Sequence, residues 1–331
     1  MKRLLVIIIL AIMFIGMGLV AFSENQIEQQ VPISQKTLYR VDVGSSFNKV
    51  LVDLEQRDWL ENTFWLKLYA KLNPQITDIK AGTYQIPANV SVKQLFSLLV
   101  SGVEHQFSIT FVEGSTFKEL LNLLAETQHI RFTLADMNRD QILNLLTQDY
   151  QHPEGLFFPD TYSFTAGSKD IDILKQAHQR MLQELAESWQ NKAKDLPYNS
   201  AYEALIMASM VEKETAQIYE QPLIAAVFIS RLAKNMRLQT DPTIIYGLGD
   251  RYTGDITYAN IREKTAYNTY RIHGMPPTPI SMPGKSAIEA SLHPANSQYL
   301  YFVSKGNGEH HFSTTLKEHN RAVDKYIRGK N

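Results

Sequence analysis

The chain has 331 residues, more than one small core accommodates and enough for two or three domains. Its 33 basic and 34 acidic residues nearly cancel, so it lacks the basic excess that nucleic-acid binding demands. It contains no cysteine, which excludes disulfides, thiolate metal sites and a cysteine nucleophile.

Met1-Lys2-Arg3 precede an uncharged run from Leu4 to Phe22. As a helix this run spans about 28 Å, close to the ~30 Å hydrocarbon core of a bilayer. Residues 1–23 are therefore expected to form a cytoplasmic tip and a single-pass anchor, with Lys2 and Arg3 retained inside. A cleavable signal peptide is the alternative, since Ala21-Phe22-Ser23 loosely fits a cleavage site. Both readings export the remainder.

Residues 24–36 are Gln-rich and read as a polar linker. Two similar segments follow. Leu38-Tyr39-Arg40-Val41-Asp42-Val43-Gly44-Ser45-Ser46-Phe47 is a strand pattern that turns at glycine into a helix. Phe107-Ser108-Ile109-Thr110-Phe111-Val112-Glu113-Gly114-Ser115-Thr116-Phe117 repeats the plan. Each leads into a Leu-rich amphipathic run, and Ser45 and Ser115 suit helix N-caps. Leu95 to Val100 adds a helical run that stops at Gly102. Residues 37–150 are thus expected to hold a duplicated small α+β module, either a grip on cell-wall glycan or a spacer.

A boundary is expected near 150, with a second domain over 151–331. Pro153-Glu154-Gly155-Leu156-Phe157-Phe158-Pro159-Asp160-Thr161-Tyr162 reads as a packed loop between prolines. Asp170 is expected to cap a helix with Leu174, Ala177, Met181, Leu182, Leu185 and Trp189 on one stripe. Ser200 and Glu203 suggest a capping box for the next helix. That helix ends Met207-Ala208-Ser209-Met210-Val211-Glu212-Lys213-Glu214-Thr215-Ala216, a nearly apolar segment that acquires two carboxylates. Residues two apart point about 200° from each other, so the pair cannot line one site together. On the helical wheel Val211 centres the apolar face, Ser209 and Lys213 lie opposite, and Glu214 is slightly the more desolvated acid. An apolar wall raises a carboxyl toward neutrality and keeps on it a proton to donate. The alternative is that both glutamates are surface charges beside Lys213.

Pro222 opens another helix, running to about Asn235. In Arg237-Leu238-Gln239-Thr240-Asp241-Pro242-Thr243, Asp241 reads first as an N-cap and second as an acid. Tyr267-Asn268-Thr269-Tyr270 offers ring faces and hydrogen-bonding groups suited to sugars. Tyr299 to Val303 and Phe312 to Thr314 read as two strands joined at Gly306-Asn307-Gly308. His310, His311 and His319 cluster, but no acid or further histidine stands at zinc-ligand spacing, so no metal is expected. Walker, G-x-S-x-G and G-x-G-x-x-G motifs are absent.

Taken together, Glu154-Gly155 through Tyr162, Ala208 to Thr215, Arg237 to Thr243 with Tyr246-Gly247, Tyr267 to Tyr270, Gly274-Met275-Pro276-Pro277 and Glu318-His319-Asn320 resemble the endolytic murein transglycosylases (the MltG or YceG-like family) of the bacterial inner membrane. Met282-Pro283-Gly284 departs from an expected Asn-Pro-Gly, and Met275 replaces a usual leucine. The resemblance implies an α+β protein: a transmembrane helix, LysM-like small α+β modules and a C-terminal YceG-like catalytic domain in the periplasm. It implies cleavage of MurNAc-β-1,4-GlcNAc bonds inside peptidoglycan strands to leave 1,6-anhydroMurNAc ends, without a cofactor. It carries the catalytic acid onto Glu214. Thr240, Asp241, Tyr246, Asn268, Thr269 and Tyr270 are the candidate substrate-binding residues. Penicillin-binding protein synthases are implied as partners by the family alone. The alternatives are a two-carboxylate muramidase using Glu214 and Asp241, and a non-catalytic wall-binding scaffold.

Overall fold

The computed structural model describes residues 2–329, so Met1 at the tip of the expected anchor and residues 330–331 lie outside the described residues. The chain divides into two compact units, residues 1–107 with 163–167, and residues 108–162 with 168–331.

The first unit begins with helix α1 (Lys2–Ile27), whose side chains from Leu4 to Phe22 are mostly exposed. It is the one helix among the described residues long and apolar enough to cross a membrane. Strand β1 (Thr37–Val41), helices α2 (Phe47–Gln56) and α3 (Thr63–Leu72) and strand β2 (Gly82–Ile86) follow, then α4 (Val92–Ser101). The strands pair antiparallel, from Thr37 opposite Ile86 to Val41 opposite Gly82. Tyr39 and Val41 alternate inward with Tyr84 and Ile86, against Leu51 and Leu54 of α2 and Leu95, Phe96 and Leu99 of α4. α4 stops at Gly102, whose φ of 71° is left-handed backbone that glycine adopts without a Cβ clash.

Residues 24–36 are not a linker. α1 continues to Ile27, and Ile27, Val31 and Ile33 are buried in this core. The Val31 N–H donates to Val90 O at 2.8 Å and the Val92 N–H to Gln29 O at 2.9 Å. The Gln-rich composition hides three apolar residues that this small core needs. The helix caps also differ by one residue from expectation: Ser46 and Thr116 cap, rather than Ser45 and Ser115.

Strand β3 (Phe107–Thr110) pairs with β4 (Thr161–Phe164). The expected repeat of the first strand–helix unit therefore exists locally, but its strand takes a different kind of partner. Residues 108–150 belong with the second unit, so the boundary lies near 107 and not near 150.

The second unit continues with α5 (Phe117–Glu126), α6 (Arg139–Asn144), α7 (Asp170–Gln190), α8 (Ala201–Glu214), α9 (Gln221–Ala233), α10 (Asp241–Leu248), α11 (Tyr258–Arg262) and α12 (Lys285–Leu292). Strands β5 (Tyr301–Ser304) and β6 (His310–Ser313) form a hairpin, and α13 (Leu316–Tyr326) packs on it. Asp170 is the first residue of α7 rather than its cap. Its buried carboxylate instead accepts from the Thr133 and Leu134 N–H groups at 2.7 and 3.0 Å.

α8 is the central helix, packed by α7, α9, α10 and α12. Every residue from Ala204 to Val211 is buried, Ser209 included. The wheel placed Ser209 on the polar side. It is tolerated inside because its hydroxyl donates to Ile206 O and accepts from the Ile280 N–H at 3.0 Å.

Candidate active site

Glu214 is the last residue of α8, and the chain turns extended at Thr215. The carboxyl faces a cavity of about 480 Å³ that is also lined by Arg231, Asp241, Tyr270, His310 and His319. Burial pushes it up to about 7, reinforced by nearby Asp241 and opposed by the Thr240 hydroxyl and Arg231. Its position at a helix C-terminus, where backbone carbonyls concentrate negative potential, also disfavours the anion. A carboxyl so raised still holds a proton part of the time near neutral pH.

Thr240 explains how that carboxyl is held. It occupies the N-cap position of α10, yet makes no side-chain cap bond to the helix. Its hydroxyl instead donates to Glu214 Oε1. Thr269 supports it from behind: the Thr240 N–H donates to Thr269 Oγ1 at 3.0 Å. Asp241, expected to cap, is the first helical residue and accepts from the Tyr270 hydroxyl at 2.7 Å. Burial pushes the Tyr270 phenol up, so it stays a donor.

The six candidate binding residues thus separate. Thr240, Asp241 and Tyr270 stand at Glu214. Thr269 lies one layer behind, fully buried. Asn268 does not reach the cavity: its amide donates to the carbonyls of Asn260, Ile261 and Glu263, and its Oδ1 accepts from the Tyr270 N–H. It braces the Tyr270 loop and supplies no charge to a reacting sugar. Tyr246 lies elsewhere. It lines a second cavity of about 730 Å³ with Tyr267, Arg139, His152 and Glu154, and its hydroxyl donates to Glu154 Oε2 at 3.0 Å.

Glu212 turns away from Glu214, as the helix spacing requires. Its Oε2 accepts from the Gly284 N–H at 3.0 Å, and burial raises its pKa. It anchors the loop that carries Met282-Pro283-Gly284.

Sequence reasoning passed over three groups. Glu154 is 3% exposed, and burial pushes it up to about 7 despite donors from the Phe117 N–H and Tyr246. A lone acid inside an apolar, proline-flanked loop was the available signal. Arg231 is buried beneath the Glu214 cavity and donates to the carbonyls of Leu300 and Leu238, both at 2.7 Å. Glu220 and His310 form a buried pair at 2.8 Å. No local pattern joins residues so far apart in sequence.

No group of three or more histidine, aspartate or glutamate side chains among the described residues is arranged to hold a metal ion.

The YceG-like family profile matches residues 39–325, most of the first unit and nearly all of the second. The chain belongs to the YceG-like family. It is 31% identical over 322 residues to an endolytic murein transglycosylase of Bacillus subtilis (strain 168), covering 92% of this chain and 89% of that one. It is 26% identical to the endolytic murein transglycosylase of Streptococcus pneumoniae (serotype 2, strain D39), spanning 87% of this chain and 58% of that longer one. A 2.6 Å crystal structure of a YceG-like protein from Listeria monocytogenes superposes with a TM-score of 0.51 at 27% identity, over 87% of this chain and 99% of that one.

Proposed function

We infer that this chain is an endolytic murein transglycosylase, a lyase that cuts MurNAc-β-1,4-GlcNAc bonds within peptidoglycan strands and leaves 1,6-anhydroMurNAc ends. The observation that carries the reading is Glu214, a buried carboxyl pushed up to about 7 at the wall of an open cavity in a YceG-like chain. It is supported by the two relatives bearing that name.

Glycoside hydrolysis ordinarily needs two carboxylates, one of them a nucleophile or a base for water. A lytic transglycosylase needs no water. Glu214 donates its proton to the glycosidic oxygen as that bond breaks. The C6 hydroxyl of MurNAc closes on C1 of its own ring, favoured over water by its effective concentration. The carboxylate formed at Glu214 is one group able to take the hydroxyl proton. Asp241 and Tyr270, tied to each other in the same cavity, serve in this reading to stabilise positive charge at C1 and to bind sugar hydroxyls.

In the first unit, two helices between antiparallel strands suggest a LysM-like grip on glycan. Lys2 and Arg3 at the start of α1 favour an inner-membrane anchor, with the chain after that helix in the periplasm. Wall synthases such as penicillin-binding proteins fit that location as partners.

A digest of purified sacculi, wild type beside Glu214→Gln, read by mass spectrometry, tests the reading. Products lighter by one water than hydrolytic ones, absent with the variant, support it. Ordinary reducing ends would instead make the chain a muramidase with Asp241 as its base, a reading that Asp241's place in the same cavity keeps open. Binding to sacculi with no cleavage would leave a wall-binding scaffold.

A further inference from the structure

His310, on β6, lines the same cavity as Glu214. Its ring Nδ1 and Glu220 Oε2 lie 2.8 Å apart, and its backbone N–H donates to Glu220 Oε1 at 2.9 Å. Glu220 is 3% exposed, and the hydroxyl of Thr215, the residue after Glu214, lies 3.5 Å from its Oε2. Phe302 meets the imidazole edge-on at 5.4 Å. The ring is therefore held on one side by a buried carboxylate and on another by an aromatic wall. With the Nδ1 hydrogen given to Glu220, Nε2 carries the lone pair. Among the described residues no protein group hydrogen-bonds that Nε2.

The other charged side chains of this cavity, Arg231 and Asp241, are already engaged. Arg231 donates to backbone carbonyls, and Asp241 accepts from Tyr270. His319 stacks on Tyr301, and its Nδ1 is buried without a hydrogen-bond partner, so no carboxylate orients it. His310 alone has the carboxylate–imidazole arrangement that fixes tautomer and direction in a proton-transfer group.

We propose that His310 is a second catalytic residue of the transglycosylation, the base for ring closure, and that Glu220 is its positioning residue. The inference rests on the transglycosylase reading and divides its chemistry. Glu214 gives its proton to O4 of the departing GlcNAc as the C1–O4 bond breaks. O6 of MurNAc forms the new bond to C1, and its proton passes to His310 Nε2. No water is consumed. Afterwards His310 releases one proton to solvent and Glu214 takes one up, which restores both groups.

The test uses the full chain in detergent micelles with purified sacculi, with initial rates and product masses measured for each variant. Wild type should make anhydro ends. His310→Asn keeps an amide able to donate to Glu220. It should lower kcat about 100-fold and leave KM unchanged. Glu220→Gln should lower kcat about tenfold, again at constant KM. Added imidazole should restore part of the rate to His310→Gly. A folded His310→Asn with kcat within about threefold of wild type would overturn the proposal. Should both His310 variants unfold, an unchanged rate in Glu220→Gln overturns it. These results leave the transglycosylase reading standing. Wild type that makes no anhydro ends removes that reading, and this inference with it.

Discussion

Glu214 shows how little a helical wheel says about a helix that is buried all round. From Ala204 to Val211 no face of α8 is polar in its surroundings, so Glu212 and Glu214 differed only slightly by angle. What separates them is their partners: a loop N–H for Glu212, and the Thr240 hydroxyl with an open cavity for Glu214. Glu214→Gln should fold and lose cleavage altogether, as the sacculus digest would report. Wild-type cleavage should also decline above about pH 7, because the acid must be protonated and its value is about 7. The same shift carries a stability consequence. The folded-state value lies above the ordinary 4.5, so the native state binds more protons between those values. Stability is therefore lost as pH rises through that window, and the loss is complete above it. Glu214→Gln should then be more stable than wild type at pH 8 by about 1–3 kcal/mol, and no more stable at pH 4. Urea unfolding at the two pH values measures this, and equal differences at both would contradict it.

At the scale of elements, the ties between segments matter more than the elements themselves. Glu154 joins three of them: its own loop, the start of α5 through the Phe117 N–H at 2.9 Å, and α10 through Tyr246 at 3.0 Å. Glu154→Ala would leave a buried N–H and a half-buried phenol unpaired and open a void. A loss of about 2–4 kcal/mol is expected, read by urea unfolding. Tyr246→Phe removes only the donor and should cost about 1 kcal/mol. Because Tyr246 lies away from Glu214, that variant should keep its cleavage rate, and a severe loss would place Tyr246 in the reaction after all. Gly155 beside it has φ 79°, and a Cβ there would come within 2.6 Å of the Pro279 ring carbons. Gly155→Ala should therefore be destabilising by about 2 kcal/mol or more. Helix existence was largely legible from periodicity, and the cap positions were less so. Ser45 and Ser46 are chemically equivalent, and so nearly are Ser115 and Thr116. In each pair the cap falls on the residue immediately before a phenylalanine, Phe47 or Phe117, which packs inward at the first helical position.

Over the whole molecule, the two units begin and end where composition gives no warning. A polar average over residues 24–36 concealed Ile27, Val31 and Ile33, which complete the first unit's core. Each buried aliphatic side chain contributes about 1.5–3 kcal/mol, and together they rival the net stability of a small domain. A chain beginning at residue 37 should therefore lose the first unit's cooperative melting and become protease-sensitive there. A chain beginning at residue 24 should retain both properties. Thermal melting with limited proteolysis distinguishes these outcomes, and a protease-resistant first unit in the shorter chain would count against this role.

The amino-acid order by itself determined what depends on neighbours in sequence. This includes the apolar run of α1, the amphipathic helices, the β5–β6 hairpin and the approach of a carboxylate to the end of a buried helix. It also carried the family, because those motifs keep their order along the chain. Tertiary structure alone decided which side chains share a cavity. It brought Tyr270 to Glu214 and sent Tyr246 to Glu154, though both were equal candidates. It turned Asn268 inward, diverted the Thr240 hydroxyl from capping to Glu214, and joined Glu220 to His310. The physical reason is that a group's desolvation and hydrogen-bond partners come from elements distant in sequence, and periodicity carries no information about those meetings.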